Sequence, residues 1–86
     1  VFGCIELLEQ YGNQLGMPFS RYLRDEIFEL RILQGNNSVR LLYFYYEGGI
    51  IILTHGFIKK TQKTPKRETE KAKTMRKDWL KRHERL

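Results

Sequence analysis

The stretch Thr54–Lys66, THGFIKKTQKTPK, places one histidine and four lysines directly after the most apolar run of the chain, Ile50-Ile51-Ile52-Leu53. Histidine is suited to proton transfer near neutral pH, and a lysine becomes suited to it where neighbouring positive charge lowers its pKa. Two arginines upstream lie in apolar segments, Arg31 where apolar and charged residues alternate and Arg40 between Val39 and Leu41. A guanidinium binds phosphate through two parallel donors and can hold negative charge as it develops. His55, Lys59, Lys60, Arg31 and Arg40 are therefore the candidates for chemistry at an anionic centre. Lys63, Lys66 and Arg67 form a neighbouring patch for binding a polyanion.

The charge distribution points the same way. Residues 1–54 carry four arginines (Arg21, Arg24, Arg31, Arg40), no lysine and six acids, a net of −2, whereas residues 55–86 carry twelve Lys or Arg against four acids, a net of +8. That excess is more than i,i+4 pairing can neutralise, so a phosphate-bearing partner is favoured over a self-solvated helix. The single cysteine, Cys4, excludes an internal disulfide framework and a paired-cysteine zinc site, and leaves a reducing, cytoplasmic setting as the expectation. No apolar run approaches the length of a membrane span, and no signal-peptide pattern opens the chain. No metal or cofactor is expected.

The elements that must position these residues can be read from periodicity. Cys4, Leu7, Leu8 and Tyr11 recur at helical spacing, and Gly12-Asn13 supplies a stop. Val1, Cys4 and Leu8 share a helical face with no cap before them, so the chain reads as the later part of a longer protein. After a loop at Gly16-Met17-Pro18, Ile27–Leu33 sets Phe28, Leu30 and Ile32 on one face and Glu29 and Arg31 on the other. Gly35-Asn36-Asn37 and Gly48-Gly49 are turn signals on either side of Val39–Tyr46, and Ile50–Phe57 follows. The expectation is a three-stranded antiparallel meander with both faces at least partly covered. From Thr64 the period becomes helical, with Thr64 as N-cap, Pro65 in the first turn, and Thr69, Ala72, Met75, Trp79 and Leu80 as a narrow apolar stripe. Trp79 is expected to anchor this helix to the sheet or to a partner.

Taken together, Leu23-Arg24-Asp25, Phe28-Glu29-Leu30-Arg31, Val39-Arg40-Leu41-Leu42-Tyr43-Phe44 and above all His55-Gly56-Phe57-Ile58-Lys59-Lys60-Thr61-Gln62-Lys63-Thr64-Pro65, with Glu68 and Ala72, resemble the RelE/ParE toxin superfamily. More narrowly they resemble its HigB-like members related to phage Gp49. The resemblance implies an α+β fold: a RelE-like antiparallel β-meander with an N-terminal helix remnant and a basic C-terminal helix, forming one domain over residues 1–86. Relatives of this kind begin with a strand and a helical hairpin, so the first strand and most of the hairpin are expected to be missing here. Either the chain is a fragment, or a partner supplies the missing cover.

The function implied by the resemblance is that of a type II toxin cutting mRNA on the ribosome, neutralised by a helix-turn-helix, HigA-like antitoxin. In that reading Arg40 matches the arginine that contacts the scissile phosphate, and Lys59 and Lys60 fall where such toxins place basic catalytic residues. Other members carry lysines on the second strand, where this chain has Ile27 and Glu29. Two alternatives remain at this stage: a ParE-like inhibitor of DNA gyrase, and a non-catalytic fragment that binds RNA or antitoxin. At residue level, His55 continues the alternation of Ile51 and Leu53, so a hydrogen-bonded structural histidine and a catalytic one are both admissible. Arg31 reads either as a phosphate contact or as a surface partner of Glu29 or Asp25. Tyr43 and Tyr45 read as sheet packing ahead of base stacking.

Overall fold

The computed structural model describes residues 2–16, 19–34, 37–60 and 63–83. Helix α1 (Phe2–Tyr11) ends at the expected Gly12-Asn13, where a single 3-10 turn follows. Strands β1 (Ser20–Arg24), β2 (Ile27–Gln34), β3 (Asn37–Tyr46) and β4 (Ile50–Ile58) then form one antiparallel sheet in sequential order, and helix α2 (Lys66–His83) closes the fold. The α+β meander is as anticipated, with one correction: it has four strands, because Ser20–Arg24 pairs with β2. The turn that makes this hairpin is Asp25-Glu26, both at positive φ (52° and 68°), the backbone of a two-residue hairpin loop. With no glycine or asparagine to mark it, the turn is silent in sequence. The next described turn, between β3 and β4, uses glycines at positive φ, Gly48 (76°) and Gly49 (80°), as the sequence suggests. The turn expected at Gly35-Asn36 and the loop at Met17-Pro18 lie outside the described residues.

Each face of the sheet buries its own cluster. Toward α1, Leu8 packs with Leu30 and Tyr43, flanked by Ile5, Leu15, Phe28, Leu41, Tyr45 and Ile51. Toward α2, Ala72 packs with Ile27, Leu42 and Phe44, flanked by Leu23, Ile52, Phe57 and Trp79. Trp79 anchors the helix as expected, its indole edge-on to Phe44 at 5.8 Å and to Tyr46 at 4.6 Å between ring centroids. Tyr43 and Tyr45 belong to the α1 side; Tyr43 is buried and its hydroxyl is hydrogen-bonded to that of Ser20.

One irregularity decides which residues of β4 face α2. Tyr43 pairs with Leu53 but Leu42 pairs with His55, leaving Thr54 as an extra, bulged residue whose hydroxyl donates to the Leu42 carbonyl at 2.9 Å. Because successive side chains point to opposite faces, a one-residue bulge exchanges the faces of everything beyond it. His55 and Phe57 therefore share the α2 face with Leu42 and Arg40, their cross-strand partners, while Ile51 and Leu53 lie on the other face. The alternation expected to carry on from Ile51 and Leu53 through His55 is broken at Thr54. Gly56 falls on the α1 face opposite Leu41, where a Cβ would stand 2.8 Å from Leu41 Cδ2.

Candidate functional site

Helix α2 covers only part of its face of the sheet. Around its N-terminus, the cross-strand rows Arg21–Glu29–Leu42–His55 and Arg31–Arg40–Phe57 continue the same face toward the end of β4, where Lys59 adds one more backbone bond to Ser38. The centre of this region is a carboxylate. Glu29 is 4% exposed and stands 3.1 Å from Arg21 Nε, 3.7 Å from Arg40 Nε and 3.9 Å from Lys59 Nζ. The Thr64 hydroxyl donates to its second oxygen, and Arg21 Nη2 reaches that same hydroxyl at 3.2 Å. One buried acid thus gathers three cations and the start of α2.

Arg40 is 4% exposed, its Nη1 donating to the Val39 carbonyl at 3.0 Å while Nε is buried without a hydrogen-bond partner. Burial lowers its pKa, Arg31 lowers it further, and Glu29 works in the opposite direction. The guanidinium remains charged at any physiological pH. Lys59 is lowered first by burial, with Glu29 opposing and Arg21, Arg40 and Arg31 adding to the fall. Arg31 lies directly across from Arg40 and forms no ion pair among the described residues. The expected alternative for it, a partnership with Glu29 or Asp25, is corrected: Glu29 is taken by Arg21, Arg40 and Lys59, and Asp25 by Arg24 and Lys73.

His55 is placed differently. Its Nε2 is 3.3 Å from Glu68 Oε1 on the first turn of α2, and its Nδ1 is 3.3 Å from the Thr54 hydroxyl. It sits four strand residues before Lys59, about 13 Å along the chain direction, with Phe57 between them. Its polar contacts are to the helix start and the bulge, not to Glu29. Lys60, Lys63, Lys66 and Arg67 are exposed around the entry to α2. Thr64 does not serve as the expected N-cap, since its hydroxyl is given to Glu29; the first turn closes instead on the Pro65 carbonyl, which accepts from Glu68 and Thr69. Thr61 and Gln62 lie outside the described residues.

Sequence reasoning did not single out Arg21, Thr64 or Glu68 for the site, and read Glu29 as a partner for Arg31 and as a departure from the lysines of other family members, not as a centre. Arg21 lies in the short segment between the loop at Gly16-Met17-Pro18 and Ile27, to which periodicity assigns no element. Glu29 does carry a periodic signal: it shares strand parity with Arg31. Among the described residues no group of three His, Cys, Asp or Glu side chains is arranged to hold a metal ion, and no helix is long and apolar enough to cross a membrane.

The family model for phage-derived Gp49-like proteins (DUF891) matches residues 1–77. The chain belongs to this family. Gp49-like proteins are RelE/HigB-like toxins, and the α+β meander with its basic final helix agrees with that membership. No curated protein matches the chain significantly.

Proposed function

We propose that this Gp49-like protein is the toxin of a type II toxin–antitoxin pair that cleaves mRNA on the ribosome without a metal. In such a cleavage the 2′-hydroxyl oxygen bonds to its adjacent phosphorus, the phosphorus–5′-oxygen bond breaks, a base takes the 2′ proton, and an acid supplies one to the departing 5′-oxygen. The observation that carries the reading is the Arg40 side chain, held among the cations gathered around Glu29, with Arg31 directly across the strand pair. Arg40, seconded by Arg31, is assigned to the scissile phosphate, where charge stabilisation contributes most. Lys59, its pKa lowered and its amine facing the same Glu29 oxygen as Arg40, is assigned to proton transfer, and Lys60 stands beside it in the chain. His55, oriented by Glu68, is the remaining candidate for moving a proton. Lys63, Lys66 and Arg67 hold the RNA backbone, and a helix-turn-helix antitoxin is the neutralising partner.

Arg40→Ala tests the assignment. Cleavage of a translated message in a reconstituted translation reaction should fall by roughly 100-fold or more, while the variant, checked by circular dichroism, stays folded and still binds its antitoxin. Undiminished cleavage by a folded Arg40→Ala protein would remove Arg40 from the mechanism.

A further inference from the structure

The cations of α2 that the proposed site does not use are not spread evenly around the helix. Lys73, Lys77 and Lys81 recur at i, i+4 and i+8, a single row with steps of about 6 Å. They line a shallow groove along α2, together with Arg76 and Glu70 of the same helix and Asp25 of the β1–β2 turn. Those two carboxylates are already engaged: Glu70 accepts from Arg24 at 2.9 Å and from Lys73 at 3.4 Å, and Asp25 pairs with Lys73 at 3.0 Å. Among the described residues no carboxylate pairs with Arg76, Lys77 or Lys81, and Arg76 Nε is buried without a hydrogen-bond partner. Like charges at i,i+4 oppose helix formation, and only Lys81, in the last turn, is favoured by the helix dipole. A second groove, nearer the start of α2, is lined by Arg21, Arg24, Lys63 and Lys66, and Arg21 is itself bonded to Glu29 at the centre of the proposed site.

We infer that this flank of α2 is a track for the phosphodiester backbone of one RNA strand, leading from the Arg40–Lys59 cluster past Lys66 to Lys73, Lys77 and Lys81. The inference rests on the RNA reading given above and extends it to residues outside the reacting centre. A single row of cations, with Lys77 and Lys81 exposed and spaced like successive phosphates of one strand, suits a single strand better than a duplex, whose two phosphate lines stand far apart.

The test uses a fluorescent 2′-O-methyl RNA of about 12 nucleotides, which cannot be cleaved, and measures binding by anisotropy across a salt series without ribosomes. Lys77→Gln/Lys81→Gln should bind roughly tenfold or more weakly at low salt, with the slope of log K against log salt reduced by about 1.4 for two lost phosphate contacts. Lys71→Gln/Arg82→Gln removes the same charge from other positions on the helix, and should leave affinity and slope near those of the unaltered protein. The track is overturned if the Lys77/Lys81 variant binds unchanged, if the Lys71/Arg82 variant loses as much, or if the unaltered protein prefers duplex RNA of equal length. Failure of the track leaves translation-dependent cleavage intact. Absence of cleavage alongside intact, Lys77/Lys81-dependent binding removes the nuclease reading and keeps the track.

Discussion

Glu29→Gln isolates what the buried carboxylate does. In the folded protein Glu29 faces Arg21, Arg40 and Lys59 at 3.1, 3.7 and 3.9 Å, and the side chains of Arg40 and Lys59 are only 4% and 5% exposed. Removing one partner of a buried ion pair leaves uncompensated charge and typically destabilises by ~3–5 kcal/mol. Glutamine keeps the shape and can still accept from Thr64, and Arg21 can turn to water, so the low end, about 3 kcal/mol, is expected. For a domain of this size that corresponds to a fall in Tm of roughly 12–24 °C. The same substitution leaves four cations, Arg21, Arg31, Arg40 and Lys59, with no acid among them. A phosphate anion should then restore to the variant what glutamine cannot supply, about 2.7 kcal/mol at a hundredfold excess over its Kd. Thermal melts followed by circular dichroism, with and without inorganic phosphate, measure both effects. The reasoning is refuted if Glu29→Gln melts within about 3 °C of the parent, or if phosphate raises the two melting temperatures equally.

Two further outcomes follow from backbone and burial. Glu26→Gly relieves a non-glycine residue held at φ 68° in the β1–β2 turn and should raise stability by about 0.5–1 kcal/mol, a gain of several degrees in Tm; an unchanged or lower Tm refutes it. Tyr43, pushed up to about 12 from 10.0 chiefly by burial, favours the neutral phenol when folded, so its contribution is complete below pH 10 and is lost as pH rises through 12. Tyr43→Phe should cost about 1 kcal/mol at neutral pH through the lost Ser20 bond, yet lose less stability than the parent between pH 8 and pH 11 in urea melts. The lowered pKa of Lys59 acts in the opposite sense, raising stability with pH up to its unfolded value, and is common to both proteins, so parallel pH profiles would refute the Tyr43 assignment.

Much of the fold was legible because it rests on local patterns. Alternation in Ile27–Leu33, the glycines at 48 and 49, and the stripe ending in Trp79 each reflect interactions within a few residues, and each element lies close to where they place it. β1 was not legible because its turn is formed by Asp25 and Glu26, whose positive φ values are tolerated within the hairpin and not advertised by residue type. The centre of the site was hidden for a different reason. Reading along β2 makes Arg31 the natural partner of Glu29, two residues away on the same face. Register across the sheet instead sets Arg21 opposite Glu29 and Arg40 opposite Arg31.

The bulge at Thr54 ties these points together. With regular pairing throughout β4, Thr54 would oppose Leu42 and Gly56 would oppose Arg40, carrying His55, Phe57 and Lys59 to the α1 face. The extra residue places Phe57 against Arg40 and brings Lys59 within 3.9 Å of Glu29. What is assembled this way is poorly suited to stability alone: Arg31 and Arg40 are like charges directly opposite in neighbouring strands, a destabilising pairing, and Lys59 adds a third cation to the same face. One buried carboxylate offsets only part of that charge. A sheet face that concentrates cations in spite of its own stability fits the proposed phosphate contact better than packing alone, and this is the physical reason for ranking Arg40 above His55 in that proposal, since the contacts of His55 join the bulge to the first turn of α2.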